Sequence, residues 1–184
     1  MTSTSPGDQR EVFLDGLVAY VLEHGVGTLS LRPLAAALGT SDRMLLYYFG
    51  TREQLLVAVL ERVTQQLHGA LAAAVPAEPI PPHRLLEQLF AAAAAPDLRA
   101  PLRLYVEISG LTAQGREPFA SAARGIAEAW LQWTADRLDV PAPQRPAAAA
   151  GLLAAVDGLL LVTFVVGDDV AQQAGGWLLQ ALRP

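Results

Sequence analysis

The chain has no cysteine, no lysine and no asparagine. Without cysteine there is no thiol nucleophile, no disulfide and no thiolate metal ligand, and His24, His68 and His83 are spaced too far apart for a local metal motif. Without lysine every cationic side chain except histidine is arginine, whose planar fork suits phosphate and guanine better than a point charge does. Charge is scarce as well, 17% of residues against 52% hydrophobic. A chain of 184 residues with that balance buries a substantial core. Its mean hydropathy of +0.30 exceeds what one modest core requires, so apolar surface must be hidden in a second place, a subunit interface or a ligand cavity. The net charge of −5 excludes a nonspecific nucleic-acid coat, which needs a basic surface, and restricts any DNA contact to a local patch.

Catalytic signatures are missing too: there is no G-x-S-x-G, no Gly-rich phosphate loop, no H-E-x-x-H and no carboxylate pair at helical spacing. An enzyme is therefore the contrasting and weaker reading, and no metal or cofactor is expected. The opening MTSTSPGDQREVFLDGL has neither the basic nor the apolar region of a secretory signal, which gives a cytoplasmic expectation. Residues 147–167 are long and apolar enough to consider as a membrane span. Asp157 in their middle costs about 2.5 to 3.5 kcal/mol on insertion, so the expectation is a buried helix of a soluble protein with no membrane partner.

Apolar residues recur at helical spacing almost throughout and no alternating strand-like segment occurs, so the fold class is all-α, with nine helices. Ser5 caps the first helix, Pro6 takes its first position, and Phe13, Leu17, Tyr20 and Val21 share a face up to Gly25. Ser30 is expected to cap a second helix and Ser41 a third that reaches Phe49. Thr51 and Gln54 form a capping box for a long fourth, which carries Leu55, Leu56, Val59, Leu60, Val63, Leu67 and Leu71 as far as the proline-rich PAEPIPP. Five more helices follow, at about 83–95, 97–113, 117–138, 144–166 and 169–182.

The segment LRPLAAALGTSDRMLLYYF meets the packing needs of a helix-turn-helix. Leu34, Ala35 and Leu38 face inward, Gly39 permits a left-handed turn, and Leu45 with Tyr48 or Phe49 returns from the second helix. By packing alone an ordinary corner of two helices fits equally well. The continuation decides: Gly39-Thr-Ser41, Leu46-Tyr47-Tyr48-Phe49, Gly50-Thr51 and Arg52-Glu53-Gln54-Leu55 resemble the N-terminal domain of the tetracycline-repressor (TetR) family over about Asp8 to Leu60. The resemblance implies a DNA-binding domain at 1–54, a ligand-binding and dimerisation domain at 55–184, and a ligand-responsive regulator, a repressor, that binds a palindromic operator as a homodimer. A regulator without a small-molecule effector, controlled by a protein partner or constitutive, is the alternative.

Carried over by position, Arg32 reaches a base edge or phosphate, and Arg43 and Met44 stand at the base-facing start of the recognition helix. Arg43 is the first choice for readout, since arginine bonds guanine O6 and N7 bidentately. Ser41, Tyr47, Tyr48 and Arg52 match phosphate-contacting positions. The sequence departs from the family at Leu46, where tyrosine is usual, and at Asp42, which either accepts from cytosine N4 or, the preferred reading, acts as a first-turn acid.

In the carboxy-terminal part, Ala147, Ala150, Gly151, Ala154, Ala155 and Gly158 form a ridge of small residues, with both faces of their helix expected to be covered. The resemblance implies that this helix and the last, bearing Trp177 and Leu178, pair with their symmetry mates. Two stripes face one another across a candidate apolar effector site: Leu102, Tyr105, Ser109 and Thr112, then Phe119, Ala123, Ile126, Trp130 and Trp133, with Leu161 beside them. A plain bundle core is the other reading of these residues. Asp157 could bond the ligand, bond a hydroxyl across the dimer, or lie near Arg124 or Arg137.

Overall fold

The computed structural model of the chain describes residues 6–27 and 29–183, Pro6 by its backbone alone. Among them are nine α-helices: α1 (Pro6–His24), α2 (Leu31–Ala37), α3 (Asp42–Phe49), α4 (Arg52–Ala74), α5 (Pro82–Ala93), α6 (Arg99–Ala113), α7 (Phe119–Asp136), α8 (Arg145–Val165) and α9 (Asp168–Ala181). Single 3-10 turns at Pro96–Leu98 and Ala142–Gln144 lead into α6 and α8. The fold is all-α, as the spacing predicts. Ser5, the expected cap of α1, lies outside the described residues.

Caps explain where the early helices start. Ser41 Oγ accepts the Met44 amide at 3.3 Å. At α4 the box closes both ways: the Thr51 amide donates to Gln54 Oε1 at 2.9 Å, and the Gln54 amide donates to Thr51 Oγ1 at 3.2 Å. The expected cap at Ser30 is corrected: its backbone is extended as a cap requires, yet its side chain accepts no helix amide. The third residue of α2 is Pro33, which has no N–H to give.

Contacts divide the chain into two compact units, one of residues up to 66 together with 107–123, the other of 67–106 together with 124–184. Helices α4, α6 and α7 each contribute residues to both. In the first unit α1, α2 and α3 pack on one another over Leu17, Val21, Leu34, Ala35, Leu45 and Phe49, with Leu55, Leu56, Val59 and Leu60 of α4 also buried. Burying each of these leucines contributes about 1.5 to 3 kcal/mol. Gly39 turns the chain between α2 and α3 at φ +62°, a left-handed angle that costs glycine nothing. Gly16 lets α1 approach closely, since a Cβ there would lie 2.3 Å from Leu38 Cδ2.

In the second unit α5 packs on α8 and α9, which pack on each other, around Leu85, Leu86, Leu89, Leu138, Leu152, Leu159 and Leu160. A two-bond bridge ties the loop before α5 to the end of α7: the Ile80 amide donates to the Arg137 carbonyl and the Asp139 amide to the Ile80 carbonyl, both at 2.9 Å. Residues Ala142–Val165 are long and apolar enough to cross a membrane, with an 18-residue stretch of mean hydropathy 2.1. Within the chain α8 buries Ala149, Leu152, Leu159 and Leu160, on one side.

Candidate functional site

The first unit presents α3 with its apolar residues turned in and its polar ones out. Leu45 and Phe49 are buried, while Ser41, Asp42, Arg43, Met44 and Tyr47 are exposed. Arg32 on α2 is exposed as well, and among the described residues no carboxylate pairs with Arg32 or Arg43. On α1 the acids Glu11 and Asp15 are held by arginines, Arg62 bonding both and Arg10 bonding Glu11. Two cations free to meet an anion thus stand on the pair of helices that carries the glycine turn.

Two of the expected phosphate contacts have structural duties. Tyr48 packs edge-on against Phe13, with ring centres 5.4 Å apart, and is half-buried. Arg52 donates through Nη2 to the Leu29 carbonyl at 2.5 Å, tying the start of α4 to the loop before α2. Tyr47, by contrast, is 72% exposed. A further residue of this unit escaped the sequence reading. Glu107 accepts the Val26 amide at 3.1 Å and the Gly27 amide at 2.7 Å, and a Cβ on Gly25, at φ +80°, would lie 2.7 Å from it. Its partners stand some eighty positions away in sequence, so no local pattern flags it.

The residues expected to line an effector site are divided between the units. Ser109, Thr112, Phe119 and Ala123 belong to the first; Leu102, Tyr105, Ile126, Trp130, Trp133, Asp157 and Leu161 belong to the second. Within the second, Leu102 and Trp133 are buried in the core and Tyr105 and Trp130 pack against it. Leu161 is corrected: it is 52% exposed and lies on the outer side of α8, where Leu160 is the buried neighbour. Asp157 also finds a partner other than arginine. Tyr105 Oη donates to it at 3.0 Å, whereas the Arg137 guanidinium sits 4.0 Å from the Trp133 ring centre. Crowding pushes the Asp157 carboxyl above its ordinary pKa, and the Tyr105 bond pulls it the other way.

His68 of α4 joins this region, stacked on Trp130 at 4.9 Å and edge-on to Trp133 at 5.5 Å. Sixty-odd residues separate it from either tryptophan, and a lone histidine on an apolar helix carries no signal by itself. Two concavities lie in the first unit. One of about 350 Å³, open to solvent, is lined by Arg10, Tyr48, Phe49, Glu53, Gln54, Val57, Ala58 and Glu61; neither it nor its smaller neighbour borders Tyr105, Trp130 or Asp157.

Uncovered residues of α8 and α9 complete the picture. Ala147, Ala150, Gly151, Ala154, Gly158, Leu161 and Val165 are exposed at steps of three and four, which puts them on one stripe. Trp177 on α9 is 68% exposed, while Leu178 packs against the core.

A capped helix that follows a glycine turn and shows unpaired arginine to solvent has the arrangement of a helix-turn-helix. Residues 13–59 match the profile of the bacterial regulatory proteins of the tetR family. Solved structures share the whole fold. A transcriptional regulator from Rhodococcus sp. Rha1 is 19% identical with a TM-score of 0.75, over 94% of this chain and 95% of that one. A TetR transcriptional regulator from Legionella pneumophila is 17% identical with a TM-score of 0.72, over 100% of both chains. The multidrug binding protein EbrR, solved with proflavin, is 25% identical with a TM-score of 0.68, over 95% of this chain and 99% of that one. No curated protein matches the chain.

Proposed function

We propose that this regulator is a homodimeric repressor that reads a palindromic operator with α3 and leaves it when a small, largely apolar effector binds. The observation that carries the DNA half is the exposed, unpaired Arg43 on a helix held by the Ser41 cap. Arg43 and Met44 read bases; Arg32, Ser41, Tyr47, Tyr48 and Arg52 set register on phosphates; and Asp42 favours the helix start through the dipole. Residues 1–54 carry this part and 55–184 the rest. With four arginines against six acids in residues 1–60, binding relies on geometry and releases few counterions. The protein works in the cytoplasm and has no catalytic role.

Pairing is supported by the stripe from Ala147 to Val165 with Trp177: small residues admit a second helix closely, and the large ones cost free energy while in water. A two-fold pair places its recognition helices about one DNA turn apart, roughly 34 to 36 Å. The effector half is supported by EbrR, whose structures hold proflavin and imidazole, and by the aromatic residues of the second unit. The reading without an effector is favoured by one observation, that two concavities of the first unit lie away from those aromatics.

The test is a pair of substitutions measured on a selected operator. Arg43→Ala should relax preference at one base position by about 1 to 3 kcal/mol, and Arg52→Ala should weaken all sequences alike and shallow the salt slope by about one. Equal, sequence-independent losses for both would remove Arg43 from base readout.

A further inference from the structure

Trp130 and Trp133 stand three residues apart on α7, so their rings share a face of that helix, with centres 5.5 Å apart. His68 of α4 closes the group, its imidazole stacked on Trp130 at an interplanar angle of 25° and set edge-on to Trp133. Arg137, one turn beyond Trp133, covers that indole and gives one N–H to the Trp133 carbonyl at 3.3 Å. Trp133 is only 7% exposed. Its Nε1–H is buried with no acceptor, and so is the Nε–H of Arg137. A buried donor left unpaired is rare and destabilising. Here two belong to side chains in contact, and among the described residues no carboxylate pairs with Arg137.

Flat rings, two waiting donors and an uncompensated cation specify a ligand. We propose that His68, Trp130, Trp133 and Arg137 form the effector site, that it takes a flat aromatic ring bearing a carbonyl or a single carboxylate, and that the His68 imidazole fills the ring's place in the free protein. The proposal rests on the effector-responsive reading above and names the ligand class that reading leaves open. A cationic ring meets Arg137 without a balancing acid, and a dianion needs a second arginine. Stacking supplies the affinity and the two N–H groups supply the selection. Displacing His68 acts directly on α4, the helix that begins at Arg52.

The test is calorimetric titration of the full-length protein with three matched probes: 2-naphthoate, 2-acetylnaphthalene and 2-naphthylmethylammonium. Naphthoate should bind once per chain and the ammonium at least about tenfold more weakly, a charge-assisted hydrogen bond being worth that much. Acetylnaphthalene should fall between them. Trp133→Phe, which keeps a ring and removes the N–H, should weaken naphthoate about tenfold, and His68→Ala should tighten it. Wild-type NMR gives a measurement that needs no variant: the His68 ring protons, shielded by the stacked indole, should move downfield as naphthoate fills the site. The proposal is overturned if no probe binds, if the ammonium binds as tightly as naphthoate, if Trp133→Phe changes nothing, as hydrated donors would have it, or if the His68 signals stay in place. Operator release separates the two readings. Binding with this selectivity but without release leaves the site standing and sinks the effector-responsive regulator. Release by a compound whose affinity Trp133→Phe leaves unchanged does the reverse.

Discussion

Helices α3 and α8 each leave a stripe of side chains uncovered, and the stripes are opposite in kind. On α3 the uncovered residues are Asp42, Arg43, Met44 and Tyr47, which water solvates well apart from one methionine. On α8 they are alanines, glycines, Leu161 and Val165, the last two 52% and 73% exposed. A polar stripe is stable until an anion arrives, and its partner is read from donors and charge. An apolar stripe gains by being covered, and small residues at its centre admit a second helix. The difference supports the proposal that α3 meets DNA and α8 a second copy of the chain.

The comparison breaks most readily at α8. Leu161→Glu with Val165→Glu places four carboxylates in each proposed dimer interface, none with an arginine to meet it. The dimer dissociation constant should rise by about a thousandfold or more, since each buried unpaired charge costs several kcal/mol. Sedimentation equilibrium measures this. A wild-type protein that is monomeric at micromolar concentration, with and without DNA, would remove the interface and the palindrome together.

The two stripes were also unequally legible. Everything that sets α3 is local: Gly39, Ser41 and the Leu45 and Phe49 pair lie within eleven residues, and the Thr51–Gln54 box follows directly. Short-range patterns carry such information. The ridge of small residues on α8 was visible for the same reason, but which large side chains turn outward was not, because adjacent Leu160 and Leu161 are chemically alike and differ only in what packs on them. Glu107, His68 and Arg137 take their roles from partners on other helices or from stacking that spacing does not encode. Ser30 is the instructive miss, since a residue type that favours caps stands before a proline that has no N–H at the third helical position.

That miss sharpens the comparison inside the DNA-binding half. Ser41→Ala removes the hydroxyl that accepts the Met44 amide, frays the start of the polar stripe and should cost about 1 kcal/mol of stability. Ser30→Ala removes no helix bond and should stay within about 0.5 kcal/mol of wild type. Urea denaturation of both variants decides the matter. Equal losses would mean that the Ser41 bond contributes nothing beyond the propensity of the residue.

Asp157 belongs to both kinds of stripe, a charge among the apolar residues of α8, and the smallest expected effect is its own. Its carboxyl lies above its ordinary pKa because crowding disfavours the anion, with the Tyr105 hydroxyl, 3.0 Å away, opposing the shift. The native state therefore prefers the protonated acid. Its stabilising contribution is complete below the ordinary aspartate pKa and is lost as pH rises through the raised value. Wild type should accordingly lose stability relative to Asp157→Asn as pH rises from the ordinary aspartate range through the raised value. Tyr105→Phe deletes the opposing bond and should move that loss to higher pH. Covering α8 with a second copy removes more water from the same carboxyl, so the shift should be larger at protein concentrations where the dimer forms. Carbon-13 titration of the Asp157 carboxyl in wild type and Tyr105→Phe follows the group itself. A midpoint at or below that of a free aspartate, or one that Tyr105→Phe lowers, would place this acid with the solvated side chains of α3 rather than in the covered stripe of α8.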